Sequence, residues 1–66
     1  MNFSEHLLQL RKTKGLTQTD LALEIGISWR AYQTYERGHR DPSLPTLIAL
    51  ADFYNLSLDE LVCRKR

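Results

Sequence analysis

A chain of 66 residues with 42% apolar residues has room for one small domain, and is too apolar to be a disordered tail. No apolar run approaches the roughly 18 residues of a membrane span, and the start, Met1-Asn2-Phe3-Ser4-Glu5, shows no basic segment followed by an apolar one; a cytoplasmic setting is the default expectation. The formal net charge is only +1, so bulk charge announces no polyanionic partner, and a single cysteine, Cys63, excludes an internal disulfide and the usual multi-ligand metal sites.

Taken in chain order, start and stop signals and apolar spacing predict five helices and no strand. The first runs from Phe3 or Ser4 to Lys14, with Phe3, Leu7, Leu10 and Arg11 on one face and Leu8 off that stripe. Lys12 and Lys14 suit the negative end of its dipole, and Gly15 stands just past the end. The second is capped by Thr17, with Asp20 three residues on in a near-relative of the capping box; Leu21, Ala22 and Ile25 form its inner stripe and Gly26 stops it.

The third starts after Ser28 and runs to about Arg37, before Gly38. Tyr32 and Tyr35 face inward on it, which favours core packing over base stacking, while Trp29, Arg30, Gln33, Thr34 and Arg37 form a polar outer face. A Gly38–Pro42 loop follows. Ser43 is then expected to cap a fourth helix with Leu44, Leu47, Ile48, Ala51 and Tyr54 on its stripe and Asn55 as a left-handed stop. Ser57-Leu58-Asp59-Glu60 is a full capping box for a short fifth helix, and the tail Arg64-Lys65-Arg66 is expected to fray. The expected architecture is all-α, a compact five-helix domain spanning residues 1–66.

The segment of about 17–37 reads as helix, glycine turn, helix. In a helix-turn-helix the first helix crosses the DNA backbone and the second enters the major groove with its N-terminal residues at base edges. That geometry needs a small residue where the helices cross, a left-handed turn and an apolar inner face; Ala22, Gly26, and Ile27 with Tyr32 and Tyr35 supply them. Charge agrees locally: from Trp29 to Arg40 there are three arginines, Arg30, Arg37 and Arg40, and His39, against one acid, Glu36.

The segments LRKTKGLTQTDLALEIGIS, YERG and DPSLPTLIALADFYNLSLDEL, in that order, resemble the Cro/CI-type (Xre-like) helix-turn-helix regulators, the group containing the phage lambda and 434 repressors. The resemblance implies a lambda-repressor-like fold and a double-stranded DNA partner. It implies that Trp29, Arg30 and Thr34, with Gln33 beside them, reach base edges. It places Thr17, Gln18 and Arg37, and with less support His39 and Arg40, at the DNA backbone. It also pairs Arg11 with Glu36 as a structural ion pair. Arg30, in the first helical turn, suits guanine O6 and N7.

Several alternatives stay open at this stage. Trp29 departs from the glutamine of several phage relatives: indole donates one hydrogen bond and accepts none, so it either presses on a thymine methyl or a sugar, or packs back on the second helix. Thr34 is a base contact or inert surface, and Gln33 a DNA contact or a tether within its own helix. No metal, cofactor or catalytic residue is expected, since His6, His39 and Cys63 are scattered. The expected partner state is a homodimer, by analogy through the C-terminal helix, on a pseudo-palindromic operator. The competing function is a protein-interaction module, such as an antitoxin or co-regulator, using Leu8, Leu58, Val62 and Trp29.

Overall fold

The computed structural model describes residues 2–62, so Cys63 and the basic tail Arg64 to Arg66 lie outside the described residues. Within them the chain forms α1 (Phe3–Thr13), α2 (Gln18–Ile25), α3 (Trp29–Glu36), α4 (Leu44–Tyr54) and α5 (Leu58–Leu61). Among the described residues no helix is long and apolar enough to cross a membrane.

Local chemistry sets most of these boundaries. Thr17 and Ser57 each accept from the amide three residues on while Asp20 and Glu60 reach back to the cap, two complete capping boxes. Ser28 caps α3 by accepting from the Ala31 amide. Four helices end in the same way: the amides of Leu16, Ile27, His39 and Leu56 return to the carbonyls of Arg11, Ala22, Thr34 and Ala51, each five residues back. Each return passes through one left-handed residue, and at the last of them Asn55, at φ 56°, takes the place glycine holds elsewhere.

One cap goes beyond the sequence reading, and two expectations need correction. The cap of α1 is Asn2, whose carbonyl oxygen accepts from the Glu5 amide at 2.9 Å, a role the sequence reading did not assign. Ser43 occupies the α4 cap position but makes no side-chain bond to the helix; its hydroxyl pairs with that of Thr46 at 3.2 Å. The expected stripe of α4 holds in part: Leu47, Ala51 and Tyr54 face the core, but Leu50 replaces Leu44 and Ile48 on that side. Leu50 and Ala51 are buried, whereas Leu44 and Ile48 are 59% and 45% exposed. The physical reason is that LPTLIALADFY is apolar nearly all round, so its periodicity cannot select a face.

Leu7, Leu21, Ala22, Tyr32, Leu50, Ala51 and Leu61 form the core, so every helix contributes to it. α3 packs against both α1 and α2, and α2 packs in turn against α4. Ala22, 2% exposed, keeps the α2 side of its crossing thin. His6 on α1 lies with Nδ1 2.9 Å from the Leu61 carbonyl, joining α1 to the end of α5. One face of α3 is thus held on two sides while its other face remains outside.

The turn that orients α3 is Gly26, at φ 75°. A Cβ added there would meet nothing within 4 Å, so substitution has no steric cost from neighbours and only the backbone cost remains. Gly26→Ala is therefore expected to lose about 1–2 kcal/mol of stability. Gly26→Asn should lose less, because asparagine visits this region more readily; urea unfolding of the two variants checks the order.

Candidate nucleic-acid interface

The site is built from the inside outward, starting at Glu36 in the last turn of α3. Its carboxylate takes Arg11 Nε at 2.6 Å and Arg11 Nη2 at 3.1 Å, a bidentate pair between α1 and α3. The side chains are 14% and 5% exposed respectively. The Tyr32 hydroxyl donates to the same carboxylate one turn back, and Gln18 Nε2 donates to it from α2 at 3.0 Å. Arg11 spends another donor on the Leu16 carbonyl at 2.8 Å, which fixes the α1–α2 connection.

Burial alone would push the Glu36 carboxyl up, but the hydrogen bonds from Arg11, Tyr32 and Gln18, with the Arg11 charge, hold it below the usual carboxylate range. Arg11 is raised, chiefly by its bond to Glu36. Tyr32 is raised by desolvation first and then by donating to Glu36, so it remains a neutral donor. Tyr54 is pushed up to about 12 by burial and then by the nearby Glu36 charge, and its hydroxyl is buried without a hydrogen-bond partner among the described residues.

Gln18 carries this arrangement to the surface. Its Nε2 faces Glu36, and its Oε1 accepts the Trp29 indole N–H at 3.2 Å. Gln18 is the first residue of α2 and Trp29 the first of α3. The two helix starts therefore lie side by side, bringing two positive dipole ends together, a setting that favours phosphate.

The expected contact residues are spread from the helix starts to beyond the end of α3. Thr17, Gln18, Trp29 and Arg30 gather at the helix starts, with Trp29 44% exposed and Arg30 also exposed. Gln33 and Thr34 follow on α3, both half-buried, and the Thr34 hydroxyl donates to the Ala31 carbonyl at 2.7 Å. Its methyl and oxygen lone pairs are what it has left to offer. Arg37, the exposed C-cap of α3, stands about 12 Å along the helix from Trp29. His39 and Arg40 are exposed beyond Gly38, and Arg40 lines a shallow cavity of about 230 Å³ with Asn2, Phe3, Ser4, Tyr35 and Asp41. The structure does not bring these last residues to the helix starts.

The sequence places Gln18 at the DNA backbone by resemblance and does not disclose its bonds to Glu36 and Trp29. Nor does it assign Tyr32 as a ligand of Glu36. An i, i+4 Tyr–Glu pair was the available signal for the second; only the helix crossing discloses the first.

The arrangement defines a helix-turn-helix domain with a polar α3 face free of the core. The matching family model, described as Helix-turn-helix, covers residues 7–61, and the chain belongs to that family. It is 45% identical over 60 residues to the uncharacterized HTH-type transcriptional regulator YqaE of Bacillus subtilis, covering 91% of this chain and 52% of that protein. It is 41% identical over 64 residues to the cryptic phage CTXphi transcriptional repressor RstR of Vibrio cholerae, covering 97% and 57%. Among solved structures, a transcriptional regulator from Listeria innocua superposes with a TM-score of 0.91 at 34% identity, covering 97% of this chain and 60% of that one. The restriction-modification controller protein C.AhdI from Aeromonas hydrophila gives 0.81 at 36% identity, covering 89% of both. The chain spans about half the length of the curated relatives YqaE and RstR. These relatives are regulators, which does not favour the interaction-module alternative.

The Glu36 cluster makes three expectations about stability testable. Glu36→Ala strands the Arg11 charge and should cost about 3–5 kcal/mol in thermal or urea unfolding. Because folding depresses the Glu36 pKa, its contribution is present in full above the unfolded value and is lost as pH falls through the folded one. Wild-type stability should therefore drop below about pH 4.3, and in Glu36→Gln that acid loss should be shallower. In contrast, Tyr54→Phe removes a hydroxyl with no hydrogen-bond partner among the described residues and should leave Tm unchanged or raise it, whereas Tyr32→Phe should lower it.

Proposed function

We propose that this domain is a sequence-specific double-stranded DNA-binding regulator, acting as a repressor, that inserts α3 into the major groove with Trp29 and Arg30 leading. The observation that carries the reading is the Trp29–Gln18 bond, which joins the starts of α2 and α3 at one exposed edge with Arg30 beside it. Arg30, Gln33 and Thr34 are the base-reading residues with Trp29, and Thr17, Gln18, Arg37, His39 and Arg40 hold phosphates. The Arg11–Glu36 pair positions them without touching DNA. No cofactor and no catalytic chemistry enter this reading, and a duplex target puts its work in the cytoplasm.

The regulator acts as a homodimer on a pseudo-palindromic operator whose half-sites lie one helical turn apart, about 34–36 Å. Leu44 and Ile48, one turn apart on α4 and both exposed, together with Leu58 at 40% exposure, support an apolar contact with a second copy.

Selection of bound sequences from a random duplex library tests the proposal and should return an inverted repeat with that spacing. Recovery of no enriched sequence would overturn it. On the selected site, Arg30→Ala should lose about 1–3 kcal/mol on the operator and far less on random duplex. Arg37→Ala should weaken both alike and reduce the log–log salt slope by about 0.9, one phosphate contact. Equal losses for Arg30→Ala on both duplexes would make Arg30 a phosphate ligand instead.

A further inference from the structure

We infer that Trp29 is a specificity-determining residue that reads the 5-methyl group of a pyrimidine, thymine in ordinary DNA, through the apolar part of its indole, and that Gln18 positions it for this. The inference rests on the DNA-binding reading above and adds the chemistry read at one position.

The argument runs through donors and acceptors. The Glu36 carboxylate, held ionised by Arg11, only accepts hydrogen bonds. Gln18 must therefore turn its amide NH₂ toward Glu36, as it does at 3.0 Å. That choice leaves the Gln18 carbonyl oxygen facing α3, where it meets the Trp29 indole N–H at 3.2 Å. Indole has a single donor and no acceptor. With that donor committed to Gln18, the ring has no hydrogen bond left for a base edge.

What remains outward is hydrocarbon, on a side chain 44% exposed at the first position of α3. Residues at that end of a recognition helix meet base edges in the major groove. The only apolar group that the four ordinary bases present there is the thymine C5-methyl. A second consequence concerns Gln18 itself: one amide N–H and the Trp29 bond are fixed, and its second N–H is the donor available to a phosphate. The carboxylate inside the protein thereby sets both the ring plane at the base and the amide at the backbone.

The test substitutes deoxyuridine for each thymine of the selected operator in turn, which removes the methyl and keeps Watson–Crick pairing. One thymine per half-site should lose about fourfold in affinity for the wild-type protein, the worth of one buried methyl. In Trp29→Ala, with helicity confirmed by circular dichroism, deoxyuridine and thymine at that position should bind alike. In the free protein, the lone indole N–H should exchange with solvent more slowly than in Gln18→Ala. Uniform tolerance of deoxyuridine by the wild type, or a thymine preference that survives in Trp29→Ala, overturns the inference while leaving DNA binding intact. Loss of all duplex binding by the wild type would instead remove the reading on which it rests.

Discussion

Glu36 is a charge that the fold can keep only by surrounding it with donors. Nearly out of water, its carboxylate would destabilise the domain if left alone, and it is compensated by a guanidinium from α1, a phenol from its own helix and an amide from α2. These partners come from three different helices, so satisfying one carboxylate sets the mutual positions of α1, α2 and α3. Apolar burial holds the helices together, but it is non-directional. The directional contacts among α1, α2 and α3 are supplied by this cluster.

The cluster also links the interior to the surface. A buried acid dictates the orientation of Gln18, Gln18 dictates where the Trp29 indole lies, and the indole stands beside Arg30 at the exposed edge. A recognition surface needs its side chains held before the partner arrives, because ordering them on binding costs free energy. In a domain of this size the same few hydrogen bonds join the helices and, on the proposed reading, hold the recognition side chains in place. Separating the two roles requires measurements on affinity and on unfolding side by side.

Charge follows the same economy. With a net charge of +1 the molecule has no strong overall field, yet Arg30, Arg37, His39 and Arg40 are all exposed along and just beyond α3 while the one acid among them, Glu36, is turned inward and neutralised. The outward face of that segment is therefore more basic than its composition. The field of an exposed charge falls off within about a Debye length, so this local distribution sets the potential at that face more than the total does.

Much of the fold was legible in the residues because its signals are local. Caps at Thr17, Ser28 and Ser57, left-handed stops at Gly26 and Asn55, and the inward phase of Leu21, Ala22 and Tyr32 all depend on neighbours within a turn or two. The outward helix face with Trp29 and Arg30 follows from the same phase. Only tertiary structure decided which side of α4 is buried, since an all-round apolar helix takes its face from whatever packs on it. Only tertiary structure brought Gln18 between Glu36 and Trp29, residues 18 and 11 positions away, and so gave the indole N–H an acceptor on α2. A hydrogen bond depends on distance and angle in space, and sequence separation carries neither.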